Sequence, residues 1–349
     1  MKGTVRPMNA SSNNEVPVPT GPVAGAAAKP RSPKRITAPA VAARKSNTDG
    51  ASSRLVMVTA YDAPSAKIAH RAGVDMILVG DSLAMVVLGH EDTLSVTTEE
   101  MAHHTKAVAR GLSCSEVVGC DQPRPLVVGD MPWMSYHVSI EESVRNAAIL
   151  MRAGAGAIKL EGGAKRVPMI EAIVDAEIPV MGHIGLTPQS VNALGGFKVQ
   201  GKSIAAAEKL VADAKALEAA GCFAIVLEAI PDAVARMITD AITIPTIGIG
   251  AGPQCDGQVL VWHDLLGIED RMVPKFVRRY DDLGAQSVEA VAKYAADVRS
   301  GAFPGPGESY VATEELASAL LHRGNAEVAS SSVAANADDE LEALIALYS

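Results

Sequence analysis

Three stretches of the chain obey one rule. "HRAGVDMILVG", "MRAGAGAIKLEG" and "EAAGCFAIVLEA" each run from a helical segment into Ala-Gly and then into a short apolar run. Gly73, Gly154 and Gly221 stand where the helix ends and the chain must pass through left-handed backbone, which glycine adopts without a side-chain clash. The apolar run that follows does not alternate with polar residues, so both faces of the strand must be covered, as in a parallel sheet flanked by helices. This repeated helix, turn and buried strand confines the chain to an α/β fold.

The same pattern, followed along the chain, marks eight strands: 55–59, 76–79, 126–128, 157–160, 180–182, 224–227, 246–249 and 272–276. Helical stretches fill most of the gaps, and two open on a capping box, Thr97 with Glu100 and Ser139 with Glu142. A content of 48% hydrophobic and 20% charged residues suits one large core. Eight strand–helix units over about 250 residues have the size of a (β/α)8 TIM barrel. The barrel is expected over 54–310, with an open doubly wound sheet as the alternative.

Both ends differ from this body. Residues 1–53 hold seven of the chain's 20 prolines and eight Lys/Arg against two acids, with no sustained apolar periodicity, so a disordered extension is expected. Its basic, Ser-rich makeup also resembles an organelle transit peptide, although the prolines interrupt any amphipathic helix; mitochondrial and cytoplasmic placements both stay open. Residues 311–349 read as a tail with a short helix over 339–347.

The net charge is −9, and the basic extension leaves the remainder more acidic still, the opposite of a nucleic-acid binder. Aromatics at 3% argue against stacking platforms for single strands. Cys114, Cys120, Cys222 and Cys255 show neither C-x-x-C nor zinc spacing and read as free thiols. No apolar stretch reaches the roughly 18 residues of a membrane span.

In a barrel the C-terminal ends of the strands converge on the face where active sites are built. Asp81 and Ser82 follow the second strand and Asp130 the third; Lys159 and Glu161 flank the end of the fourth; His183 follows the fifth, Glu228 the sixth and "GIGAG" the seventh. Asp81 and Asp130 could each cap a turn. Together they suit a hard divalent cation such as Mg2+, which prefers one or two carboxylates plus water and substrate oxygens, with Glu161 completing the shell directly or through water. Neither position is Cys or His, which argues against zinc.

Lys159 could form an ion pair with Glu161 or Asp130, or grip a substrate carboxylate or enolate oxygen. Glu228, partly buried, would be a strengthened general base, or else another metal ligand or a cap. His183 reads equally as a satisfied core histidine or a substrate contact. "GIGAG" could cradle phosphate or simply turn tightly.

Longer motifs narrow the reading. "TAYDAPSAKIAHRAGVDMILVGDSLAMVVLGHEDTLSVTTEEMAHHTKAV", "GDMPWMSY", "IKLEGG", "GHIGLTPQSVNALGGFKVQGKS", "IGIGAGPQCDGQVLVWHDLLGI" and "PKFVRRY" closely resemble the 3-methyl-2-oxobutanoate (ketopantoate) hydroxymethyltransferase family, in order from about Val56 to Pro306. The resemblance implies a (β/α)8 barrel that moves the one-carbon unit of 5,10-methylenetetrahydrofolate onto 3-methyl-2-oxobutanoate, giving 2-dehydropantoate for pantothenate and coenzyme A synthesis through an Mg-stabilised enolate. By motif match it puts Asp81, Asp130 and Glu161 on magnesium positions. Asp81, Ser82, Asp130 and Lys159 fall on substrate-binding positions and Glu228 on the proton acceptor.

The resemblance also implies a homo-oligomer, a decamer in bacterial members. Two departures stand out. "LSCSEVVGCDQPRP", residues 112–125, is long for the connection into strand 3, and "AARKSNTDGASS" lies where relatives carry a helix before strand 1, which puts that helix in doubt. A lyase or mutase of the phosphoenolpyruvate mutase and isocitrate lyase group, a phosphate-handling barrel and a non-catalytic binding protein are the competing readings.

Overall fold

A computed structural model of the protein describes residues 34–45, 54–113, 122–270 and 273–323. Its strands are β1 Leu55–Thr59, β2 Met76–Val79, β3 Leu126–Asp130, β4 Ala157–Lys159, β5 Val180–Gly185, β6 Ala224–Glu228, β7 Thr246–Ile249 and β8 Gly257–Leu260. They lie in chain order and close into a barrel. Each pairs in parallel with its neighbours, and closure comes from β8 against β1, with Leu55 opposite Gly257 and Val58 opposite Leu260. An open doubly wound sheet would leave that pairing unmade.

The helices are α1 Ala38–Ala42, α2 Ala63–Arg71, α3 Leu83–Val86, α4 Thr98–Ser113, α5 Ile140–Arg152, α6 Val167–Asp175, α7 Val191–Leu194, α8 Ile204–Ala219, α9 Asp232–Ala241, α10 Trp262–Leu265 and α11 Leu283–Ser300. The first capping box forms in full, Thr97 accepting from the Glu100 N–H while the Glu100 carboxylate takes the Thr97 N–H; at the second only the forward half forms, Ser139 accepting from the Glu142 N–H. Gly73, Gly154 and Gly221 all have positive φ after α2, α5 and α8.

Because successive strand side chains point to opposite faces, each strand feeds two cores. Leu55, Met57, Met76, Leu78, Leu126, Val128, Ala157, Met181, Ala224, Val226, Ile247 and Val259 fill the lumen. Val58, Ile77, Val79, Val127, Ile158, Val180, Ile225 and Leu227 pack outward against the helices.

Two expectations need correction. The eighth strand is Gly257–Leu260, not 272–276. The latter run contains Pro274, which has no N–H for a sheet, and 273–276 carry no strand; Arg271 and Met272 lie outside the described residues. The glycine and glutamine of "GQVL" dilute its apolar signal, yet Gln258 is the residue whose side chain faces out.

The second correction concerns the extension. Residues 34–45 are ordered, and a helix does precede strand 1: it is α1, "APAVA", upstream of the segment that seemed to lack it. Pro39 sits in its first turn, where no N–H is needed, and Thr37 caps it. Ala38 and Val41 are buried with the lumen residues, so α1 plugs the N-terminal end of the barrel. Ile36 N–H donates to the Arg124 carbonyl at 2.8 Å. Lys45 Nζ reaches Asp256 Oδ2 at 3.0 Å and the Thr239 carbonyl at 2.6 Å.

That bridge to Arg124 also puts the described end of the long 112–125 connection at the N-terminal rim, away from the mouth. The transit-peptide reading, the 339–347 helix and Cys114 and Cys120 fall wholly or mainly outside the described residues. Cys222 and Cys255 are buried and free; burial pushes their thiols up to about 12 and about 11. No described helix is long and apolar enough to cross a membrane.

Candidate active site

The lumen parity that fills the barrel with Leu, Val and Met carries on upward into charge. Leu126 and Val128 lead to Asp130, Ala157 to Lys159 and Glu161, Met181 to His183, and Ala224 and Val226 to Glu228. Every second residue of a strand shares a face, so these polar side chains point inward as surely as the apolar ones beneath them. Asp81 and Ser82 enter from the turn after β2.

All six candidate charged or titratable side chains meet there. Asp81, Asp130, Lys159, Glu161 and His183 are at most 5% exposed. Lys159 Nζ lies 2.9 Å from Asp130 Oδ1 and 3.8 Å from Glu161 Oε1. His183 Nδ1 is 3.3 Å from Glu161 Oε1, and its Nε2 is 3.3 Å from Glu228 Oε2. The Glu228 side chain is 16% exposed, the most open of the set.

The capping alternative does not describe either aspartate. The α3 helix has no side-chain cap. Asp130 Oδ2 instead accepts the Asp81 N–H at 3.1 Å, and Asp81 Oδ2 accepts from Gln189 Nε2 at 2.9 Å. Ser82 Oγ is paired with Tyr61 Oη at 2.9 Å.

Burial and charge shift Asp81, Asp130, Lys159, Glu161 and His183. Burial, then the charges of Asp130 and Glu161, hold the Asp81 carboxyl well above the usual carboxylate range. Burial also raises Asp130, although Lys159 pulls the other way. Lys159 loses hydration too, but Asp130, Glu161 and Asp81 more than compensate and keep it charged. Burial and Lys159 oppose a proton on His183; the Glu161 and Glu228 carboxylates, one at each ring nitrogen, overcome them and raise it to about 9.

Backbone geometry sets Glu228 against His183. Gly185 of β5 has φ +96°, and a Cβ there would stand 2.2 Å from the Glu228 carbonyl oxygen. That carbonyl accepts the Leu186 N–H at 2.8 Å, where Gly185 of β5 lies opposite Glu228 of the parallel strand β6, and the space is too tight for a side chain. The next residue, Ala229, holds φ +45°, a strained value for a residue with a side chain, and is pinned by bonds to Ile249 and Gln200. "GIGAG" is a packed turn: a Cβ on Gly250 would lie 2.6 Å from the Phe276 ring.

Two residues at the centre escaped the sequence reading, Tyr136 and Gln189. Tyr136 Oη donates to Gln189 Oε1 at 2.6 Å and accepts the Glu161 N–H at 3.1 Å. Both are buried, in the loops after β3 and β5. The available hints were that these loops follow barrel strands and that both residues lie inside the quoted motifs, "GDMPWMSY" and "GHIGLTPQS"; neither residue type marks a site by itself.

Comparison with known proteins matches this barrel closely. A family model described as Ketopantoate hydroxymethyltransferase covers residues 35–306. Proteins named 3-methyl-2-oxobutanoate hydroxymethyltransferase align from three bacteria. That of Syntrophobacter fumaroxidans is 56% identical, over 78% of this chain and 92% of that protein. That of Oleidesulfovibrio alaskensis is 59% identical over 75% and 88%, and that of Moorella thermoacetica 54% identical over 79% and 98%. A solved phosphoenolpyruvate phosphomutase from Streptomyces platensis subsp. rosaceus overlaps more loosely, with a TM-score of 0.49 at 15% identity over 84% of this chain and 98% of that one. With more than half of its aligned residues identical across nearly the full length of each bacterial relative, the chain belongs to the ketopantoate hydroxymethyltransferase family of enzymes.

Proposed function

We propose that the barrel mouth transfers a hydroxymethyl group from 5,10-methylenetetrahydrofolate to 3-methyl-2-oxobutanoate, giving 2-dehydropantoate for pantothenate and coenzyme A synthesis. The observation that carries this reading is the division of the mouth. Buried carboxylates and one lysine lie at its floor, and a single more open carboxylate, Glu228, stands beside His183.

Magnesium fits the floor. Asp81 and Asp130 offer hard oxygen donors, and burial makes their negative charges costly, a cost a divalent cation relieves. Among the described residues no three His, Cys, Asp or Glu side chains are grouped to hold a metal. Mg2+ would therefore take Asp81 and Asp130 and fill its other positions with water and substrate oxygens. The Glu161 oxygens face His183 and the Gln189 N–H, and Glu161 would act through water. When bound, Mg2+ would polarise the keto group of the 2-oxo acid and acidify its C3 proton.

This chain's own groups would do the rest. Lys159 supplies positive charge to the substrate oxygen that gains electrons. Ser82, held by Tyr61, borders the substrate. Glu228 takes the C3 proton, and His183 holds the Glu228 carboxylate at one ring nitrogen while Glu161 holds the other. The C3 carbanion then bonds to the donated methylene carbon as both of that carbon's bonds to folate nitrogen break; water provides the hydroxyl oxygen, and the proton taken by Glu228 and one from the water end on the two nitrogens of the departing tetrahydrofolate. A positioned base is worth roughly 10² to 10⁴ in rate, about 3 to 5.5 kcal/mol.

Assembly belongs to the same reading. Helix α11 has no buried residue, and its Val288, Val291, Tyr294 and Val298 are exposed. Such a face suits a second copy of the chain, in keeping with a homo-oligomer.

The test is formation of 2-dehydropantoate from the two substrates with Mg2+ present and then chelated, beside C3 proton exchange of 3-methyl-2-oxobutanoate in deuterated water. Metal-dependent product, and a Glu228→Gln enzyme that binds the 2-oxo acid but no longer exchanges its proton, are expected. Undiminished exchange would remove Glu228 as the base. Cleavage of 2-oxo acids without folate would move the reading to a lyase.

A further inference from the structure

Gln189 is saturated by its neighbours. The 3-10 turn Pro188–Ser190 carries it into the mouth after β5, where it is 5% exposed. Its side-chain nitrogen donates two bonds, to Asp81 Oδ2 and to the Met131 carbonyl, each 2.9 Å. Its own N–H donates to Glu161 Oε2 at 3.1 Å.

The amide's orientation follows from Tyr136. The phenol oxygen already accepts the Glu161 N–H, so its one hydrogen is free for Gln189 and points at Oε1. With Oε1 turned to Tyr136, the amide nitrogen must face Asp81. A flipped amide would set a donor against the phenol O–H and an oxygen against the Asp81 carboxylate and the Met131 carbonyl. Among the described residues no donor is placed on the other Asp81 oxygen, Oδ1. Asp130 Oδ2, in turn, is taken by the Asp81 N–H.

We infer that Gln189 is a positioning residue that decides which Asp81 oxygen is offered to a cation: it occupies Oδ2, under the direction of Tyr136, and leaves Oδ1 to the metal. This rests on the magnesium reading of the mouth. It extends that reading to two residues on other loops, which touch neither metal nor substrate.

The test uses metal-stripped, full-length protein titrated with Mn2+ by electron paramagnetic resonance, without substrates, with Mg2+ as competitor. Gln189→Met keeps the side chain's bulk without the amide, and Gln189→Asn keeps the amide but withdraws it by one methylene. Thermal unfolding shows whether each is folded. Loss of such an outer partner typically weakens metal binding about 10- to 100-fold, and that loss is expected in both variants. Activity should return toward the wild-type kcat at saturating Mg2+, a rescue that a merely distorted barrel would not show. Wild-type Mn2+ affinity in either folded variant overturns the inference, as does failure of excess Mg2+ to restore kcat. Absence of Mn2+ binding by the wild-type protein would instead bring down the magnesium reading, and this inference with it.

Discussion

Asp81 illustrates what a functional carboxylate costs the protein that carries it. Its raised pKa means that the folded state resists its ionisation, so at neutral pH the charge weighs against folding. Asp81→Asn, which retains an acceptor for Gln189, should raise the melting temperature of metal-free protein while removing activity and weakening Mg2+ binding. Differential scanning calorimetry with and without chelator would show it, and a lowered melting temperature without metal would contradict it. His183 carries the opposite sign. Raised from 6.5 to about 9, it stabilises the fold fully below pH 6.5 and loses that contribution as pH climbs through 9. Urea denaturation of metal-free protein should thus show falling stability over that window, and His183→Gln should flatten the slope; an equal slope in the variant would assign it to other groups. The candidate residues were legible because each ends or follows a strand. Tyr136 and Gln189 were not, since their importance lies in bonds between loops separated by about 50 residues, which leave no period or spacing in the sequence.

At the scale of the element, parity does most of the arranging. The alternation that points Val128 into the lumen points Asp130 there as well, so a strand long enough to cross the core also delivers its last side chain to the mouth. The pairing of Gly185 in β5 with Glu228 in β6 tolerates no side chain at position 185. Gly185→Ala should therefore shift Glu228, lowering kcat far more than it changes the KM for 3-methyl-2-oxobutanoate, and cost stability of about 1–3 kcal/mol from the strained φ alone; steady-state kinetics and urea denaturation report the two effects, and wild-type kcat would refute the coupling. The α1 plug is a separate element with its own test. Val41 is fully buried among lumen residues, so Val41→Ala should cost on the order of 1–3 kcal/mol in urea denaturation with kcat unchanged, the plug being at the far end from the mouth. Strand β8 and α1 were the two elements misread from sequence. Both are short, and short elements hold their shape through pairing and docking partners that a local window does not contain.

At the scale of the whole molecule, two helical stretches carry apolar side chains that the barrel does not bury. Helix α11 stands with Val288, Val291, Tyr294 and Val298 exposed, and a helical stretch over 314–323 adds Leu316, Leu320 and Leu321. Light scattering coupled to size exclusion should find an oligomer for the wild-type chain and a smaller species for a Val288→Glu, Val291→Glu double variant with unchanged circular dichroism. A wild-type monomer would mean that these residues meet something other than a second copy.

The repeated helix, glycine turn and apolar strand determined the α/β class, seven of the eight strands and the sign of the mouth's charge, because those follow from periodicity and from what stands at a strand's end. Closure of β8 on β1, the seating of α1, and the link of Tyr136 through Gln189 to Asp81 were decided only in three dimensions. Each joins residues far apart in the chain, and such contacts depend on distances that exist only once the barrel has closed.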